Sequence, residues 1–247
     1  MRNLKLIIEY DGSNYCGWQK QRNNKKKSIQ QVLEDTLQKI LNEKIKIIGS
    51  GRTDAGVHAL SQVANFKTNS KISLPKLKKA LNALLPEDIV IKQIKRVPLD
   101  FHSRFDAKTK LYRYVILNRP YRSAFLRKRV YFYPYPLDIN LMHKEAKVLL
   151  GRHDFKAFQA VDKKERSSIR TIKKLIIKKE KDLIIIDIEA DGFLYNMVRN
   201  IVGTLIEIGR GRFSKGDLKK ILLLGDRKKA GFTAPAMGLY LVKVKYN

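Results

Sequence analysis

Gly49 to Phe66 reads "GSGRTDAGVHALSQVANF" and carries one carboxylate, Asp54, between Gly51 and Gly56, with Arg52 two residues before it. A carboxylate can attack an electrophilic carbon or move a proton. The same spacing also describes a plain connection, because glycine supplies positive φ and aspartate bonds to its own turn. The stretch alone leaves both readings open.

Few other side chains compete for a chemical role. His58, His102, His143 and His153 are scattered without a paired spacing, and neither Cys-x-x-Cys nor His-Glu-x-x-His occurs, so no metal site is expected. Cys16 is the single cysteine, which rules out an intramolecular disulfide and points to a cytoplasmic location. The 52 lysines and arginines against 23 acidic residues leave a formal net charge of +29, an excess that implies a polyanionic partner. Nucleic acid comes first. A membrane is not expected, since no segment approaches the roughly 20 apolar residues of a spanning helix and "MRNLKLIIEYDG" lacks the form of a signal peptide.

With 44% hydrophobic residues over 247 positions, the chain can bury a core that holds such a site in place. "LKLIIEY" reads as a strand, "SIQQVLEDTLQKIL" as a helix capped by Ser28, and "KIKIIGS" as a strand. "ALSQVANFKT", "SLPKLKKALNALLP" and "DIVIKQIKRV" continue as strand, helix and strand. This β-α-β-β-α-β order is that of the ferredoxin-like sandwich. In the second half, Lys108 to Leu117 reads as a strand with Tyr112, Tyr114 and Ile116 on one side. "INLMHKEAKVLLG" is a helix ended by Gly151, and "TIKKLIIKKE" and "DLIIIDIEAD" form a hairpin. "LYNMVRNIVGTLIEIG" is an amphipathic helix, "SKGDLKKILLLGD" a further helix, and "GLYLVKVKYN" a closing strand. The expected fold class is α+β, with two ferredoxin-like halves, residues 1–104 and 105–247, whose largely antiparallel sheets meet around a central basic cleft. The run "NNKKK" from Asn23 to Lys27 reads as a solvated loop or a phosphate contact.

Six strings, "YDGSNYCGWQ", "GSGRTDAGVHA", "FHSRFDAKTKLYRY", "DFKAF", "GFLYNMVRNIVGTL" and "APAMGLYL", together resemble in order and spacing the TruA family of tRNA pseudouridine synthases. That resemblance implies isomerisation of uridine to pseudouridine in the anticodon stem-loop of tRNA, at uridines 38 to 40. It implies no metal or organic cofactor, and a homodimer that binds tRNA. The family's catalytic aspartate falls on Asp54. A carboxylate nucleophile in a partly dry pocket needs a cation to keep it ionised, and the resemblance puts that cation at Arg199. Tyr112 matches the tyrosine that contacts the substrate base. Arg52 matches the arginine that fills the gap left by an extruded nucleotide, and Leu239 and Leu241 match the dry pocket wall. Read without the family, Arg199 is a border residue of its helix, Tyr112 a packed strand tyrosine, and Arg52 a phosphate contact. A non-catalytic RNA-binding protein and a nucleoside hydrolase are the competing classes. The hydrolase would want a second carboxylate, which the matching strings lack.

Overall fold

A computed structural model describes residues 1–21, 25–161 and 167–247. Asn23 and Asn24 of the charge run lie outside them. The chain divides into two compact units, Met1–Lys108 with Tyr240–Asn247, and Thr109–Leu239.

In the first unit β1 spans Arg2–Tyr10, α1 Ile29–Leu41, β2 Ile48–Gly49, β3 His58–Thr68, α2 Leu74–Leu84 and β4 Ile89–Val97. On β1, Leu4, Leu6, Ile8 and Tyr10 are buried and alternate with half-exposed neighbours, the period-two pattern of a strand with one covered face. The helices supply the cover: Ile29, Leu33 and Leu37 of α1 and Leu77 and Leu81 of α2 are fully buried at helical spacing. Ser28 caps α1 by accepting from Gln31 N–H at 3.1 Å. β1 pairs antiparallel with β3 on one side and with β4 on the other. The strand expected over "KIKIIGS" shrinks to the two residues of β2. Side chains of α1 replace the missing ladder: Gln30 donates to Ile47 O at 3.2 Å and Glu34 accepts from Ile47 N–H at 3.0 Å.

In the second unit β5 spans Thr109–Leu117, β6 Tyr131–Phe132, α3 Ile139–Ala146, β7 Gly151–Asp154, β8 Ile169–Glu180, β9 Leu183–Ala190, α4 Met197–Gly209 and α5 Asp217–Leu224. The antiparallel pairings run β5 to β9, β9 to β8 and β8 to β7, with β6 parallel to β5. Tyr112, Tyr114 and Ile116 are buried on one face of β5, as their spacing predicts. β8 and β9 form the expected hairpin, turning at Lys181, which adopts a φ of +54°. α3 stops at Ala146, earlier than expected, and the chain continues through a 3₁₀ turn to Gly151, whose φ of +95° starts β7 instead of ending the helix.

α4 departs from the amphipathic reading in an informative way. All of its residues except Arg199 are buried. Its polar members therefore need partners inside the unit, and they have them. Asn200 donates to Phe158 O at 2.8 Å and accepts from Thr233 Oγ1 at 2.6 Å and Arg227 Nη2 at 3.0 Å. Thr204 Oγ1 donates to Asn200 O and accepts from Gly231 N–H.

The last strand, β10 at Leu239–Lys245, pairs in parallel with β3 through Tyr240 opposite His58 and Leu241 opposite Ala59. Its residues from Tyr240 onward accordingly group with the first unit, although they follow the second in sequence. Among the described residues no helix is long and apolar enough to cross a membrane.

Candidate active site

Asp54 sits in the connection between β2 and β3, and the backbone around it is held from several directions. Ahead of it, Ser50 N–H donates to Val63 O at 2.7 Å, and the Ser50 hydroxyl donates to Gln62 Oε1 at 2.6 Å. Gln62, fully buried on β3, donates in turn to Gly51 O at 3.0 Å. Thr53 is clamped twice: its hydroxyl bonds the Tyr10 hydroxyl at 2.7 Å, and its carbonyl accepts from Trp18 N–H at 2.9 Å. Behind Asp54, Val57 N–H donates to Asp54 O at 3.1 Å, closing a turn that needs Gly56 at φ +77° in its third position. The connection read from sequence as a turn is thus a turn, built so that little besides the Asp54 side chain remains to be placed.

Gly17 completes this mount from outside. Its φ is +98°, and a Cβ there would lie 2.6 Å from Thr53 O and 3.0 Å from Asp54 C. The backbone of residues 53–55 therefore packs directly on the backbone of residue 17. Burial pushes the Tyr10 hydroxyl up to about 12, against the opposing pull of its bonds to Thr53 and Gln62, so it remains a neutral hydroxyl at physiological pH.

Beyond the turn, His58 is almost wholly buried and stacks on Tyr240 with ring centroids 4.8 Å apart. Its Nδ1 lies 3.1 Å from Asp11 Oδ1 and 3.2 Å from Gly12 N. Protonation of that one nitrogen decides its bond: bare, it accepts from Gly12 N–H; protonated, it donates to Asp11. Arg52 is exposed, and its Nε donates to Gln19 Oε1 at 3.2 Å. Gln19 is tied to Gln30 of α1 at 2.8 Å. Leu241 is fully buried opposite Ala59 on β3.

The second unit holds the other residues singled out from sequence. Arg199 is half-buried at the start of α4, where its Nε donates to Ala234 O at 2.7 Å and its Nη1 to Asn196 Oδ1 at 3.0 Å. Two bonds in the guanidinium plane fix the orientation of a side chain that would otherwise sweep a wide arc. Ala234 N–H donates back to Arg199 O, so the segment after α5 and the helix hold one another. Tyr112 is 7% exposed and meets Phe193 edge to face at 5.1 Å, and Leu239 is 5% exposed. Burial pushes the Tyr114 hydroxyl well above the usual tyrosine range, Tyr131 adds to this, and the Arg199 charge opposes it. Tyr114 donates to Pro235 O at 2.7 Å. Among the described residues no cluster of three His, Cys, Asp or Glu side chains is placed to hold a metal ion.

Residues 6–106 and 146–247 match the family described as tRNA pseudouridine synthase. The chain belongs to that family. Asp54, Arg52, Arg199, Leu239 and Leu241 lie within the matched stretches, and Tyr112 lies between them. Along its whole length the chain is 50% identical to the tRNA pseudouridine synthase A of Thermoanaerobacter sp. (strain X514), over 246 residues and 100% of both proteins. It is likewise 50% identical to the enzyme of that name from Acetivibrio thermocellus and 48% identical to that from Caldicellulosiruptor bescii, again over 100% of each. As a member of the family the chain is an isomerase that turns uridine into pseudouridine in tRNA. The bond from C1′ to N1 of the base breaks, the base turns, a bond from C1′ to C5 forms, and the C5 proton leaves while N1 gains one. No atom is gained or lost overall.

The sequence marks Asp54 as a candidate but carries no sign of its frame. Tyr10 and Gly17 both stand in "YDGSNYCGWQ", yet nothing in that string tells that one reaches the Thr53 hydroxyl and the other the Asp54 backbone. Gln62 gave no signal at all, being a polar residue in a strand, and only its complete burial marks it as a brace.

Proposed function

We propose that this isomerase acts on uridines 38 to 40 of the anticodon stem-loop, with the Asp54 carboxylate as the nucleophile. The observation that carries the reading is the mount of Asp54, where hydrogen bonds to residues 50, 51, 53 and 54 and the close approach of Gly17 fix one carboxylate on an otherwise ordinary turn. Such fixing is what a reacting group requires, because misplacement by about 1 Å can cost about a hundredfold in rate.

In this reading the target nucleotide leaves the stack to reach the acid, and Arg52 takes the place it vacates. The orientation of Arg52 by Gln19 and Gln30 supports that role. Arg199 supplies the positive charge that keeps Asp54 ionised, and its bonds to Ala234 and Asn196 give it a fixed direction. Tyr112 offers a ring face against which the base turns, supported by its edge-on contact with Phe193. Leu239 and Leu241 provide apolar wall. The β-α-β-β-α-β order of the first unit supports the ferredoxin-like reading of that half. The reading extends to a homodimer working in the cytoplasm, both carried over from the family resemblance.

The test is Asp54→Asn, assayed with tRNA tritiated at uracil C5. The expected outcome is tRNA binding within about twofold of wild type and no tritium release above background, since a carboxamide is not a nucleophile. Release at the wild-type rate would refute the assignment.

A further inference from the structure

The segment "FHSRFD" at Phe101 to Asp106 has no part in the reaction outlined above, yet it is built as a rigid mount for an exposed ring. Phe105 is 74% exposed. Burying a phenylalanine is favourable, so a loop free to fold the ring inward would do so. This loop is locked. His102 N–H donates to Asp106 Oδ2 at 2.9 Å, and Asp106 N–H donates to His102 O at 3.0 Å. His102 Nδ1 accepts from Arg104 N–H at 3.2 Å and Phe105 N–H at 3.3 Å, which leaves the ring proton on Nε2. That imidazole lies against the Phe105 ring, with centroids 4.2 Å apart and planes 28° apart, and the Arg104 guanidinium sits 5.6 Å from the ring centre.

Buried polar groups anchor the loop from beneath. Ser103 is fully buried; its N–H donates to Asn65 Oδ1 at 2.9 Å, its hydroxyl donates to Ile48 O, and its carbonyl accepts from Tyr246 Oη at 2.7 Å. Ile48 opens β2, the strand that runs directly into Ser50, Thr53 and Asp54. The ring is therefore held at a set position relative to the Asp54 mount, within one unit.

We propose that Phe105, backed by His102 and flanked by Arg104, is a stacking platform for an unpaired base of the tRNA substrate. A flat ring beside a guanidinium matches a nucleotide, which offers a π face and a phosphate together. The formal charge of +29 favours the same partner over an apolar protein surface. A base held there sets the register of the stem-loop against Asp54, and in this the inference rests on the function proposed above.

Equilibrium binding of one in vitro transcribed tRNA to the full chain tests it, alongside steady-state tritium release. Phe105→Ala is expected to raise Kd about 5- to 150-fold, the range for losing one base–aromatic stack, and to lower kcat/KM for tRNA with it. Phe105→Trp keeps the π face and is expected to bind within about twofold of wild type, whereas Phe105→Leu, apolar but without that face, behaves like Phe105→Ala. An unchanged Kd in a folded Phe105→Ala overturns the proposal. So does recovery by leucine, which would mean apolar contact without stacking. A fall in sedimentation mass on Phe105→Ala also overturns it, in favour of a contact between two copies of the chain. Asp54→Asn tests the reagent separately, so failure of that assignment leaves the binding measurements readable.

Discussion

Replacing Gly17 with alanine tests whether the Asp54 mount matters for turnover. The new Cβ would lie 2.6 Å from Thr53 O, where ordinary contact begins at 3.4 Å, so about 0.8 Å must be found by moving backbone against backbone. No rotamer relieves an alanine. The φ of +98° adds on the order of 1–2 kcal/mol for a residue carrying a Cβ, and overpacking adds about 1–3 kcal/mol, which together predict destabilisation of about 2–5 kcal/mol. Thr53 O is also the acceptor for Trp18 N–H at 2.9 Å, so the shift propagates into residue 54 instead of dying out at residue 53. With Asp54 in the proposed role, a displacement of that size predicts a kcat lower by about 10- to 100-fold. Gly211→Ala is the matched control: its φ is +80°, but nothing lies within 4 Å of the added Cβ, so it carries the backbone cost without the collision. Urea denaturation measures stability, and tritium release at saturating tRNA, at a temperature where both variants are folded, measures kcat. The reasoning fails if Gly17→Ala loses the expected stability while its kcat stays within twofold of Gly211→Ala.

Two further outcomes follow from the same geometry. Burial raises Tyr10 from 10.0 to about 12, so the folded state holds that proton more tightly; the associated stability is complete below pH 10 and falls away as pH rises toward 12, by about 2–3 kcal/mol. Tyr10→Phe should lose about 1 kcal/mol at neutral pH, with the Thr53 bond gone, and show a flatter urea-midpoint profile above pH 10; parallel profiles would contradict the burial argument. Arg199→Lys keeps the charge but cannot serve Ala234 O and Asn196 Oδ1 from one planar fork, so kcat is expected to drop at least about tenfold with KM for tRNA within about threefold. A kcat unchanged by lysine would mean that charge alone suffices.

Much of the fold was legible because its signals are local. The alternation on β1, the helical spacing of Ile29, Leu33 and Leu37, and the hairpin of β8 and β9 each sit within a short window. The misreadings share one cause. "KIKIIGS" has strand chemistry, but Gln30 and Glu34 of α1 take up the backbone groups of Ile47, and a competition with side chains far away in sequence leaves no trace in the string itself. α4 has a polar border by composition, yet Asn200 and Thr204 are buried there because Phe158, Arg227, Thr233 and Gly231 come to meet them. Periodicity counts polar residues as exposed, and burial with satisfied hydrogen bonds defeats that count.

For the site, residue types and order alone marked the turn that carries Asp54 and a polyanionic partner, since a carboxylate between glycines and a large charge excess are properties of composition and spacing, while the choice of that aspartate as reagent came with the family resemblance. The family too is written in the sequence, in six short strings kept in register along the chain. What the tertiary structure alone decided is how that aspartate is held. Tyr10 on β1, Gly17 in a loop and Gln62 on β3 meet Ser50, Thr53 and Asp54 of one connection in the folded unit, where β1 and β3 pair. Hydrogen bonds of 2.6–3.0 Å and a backbone contact that excludes even a methyl group are distances in space, and a linear order of residues does not contain them.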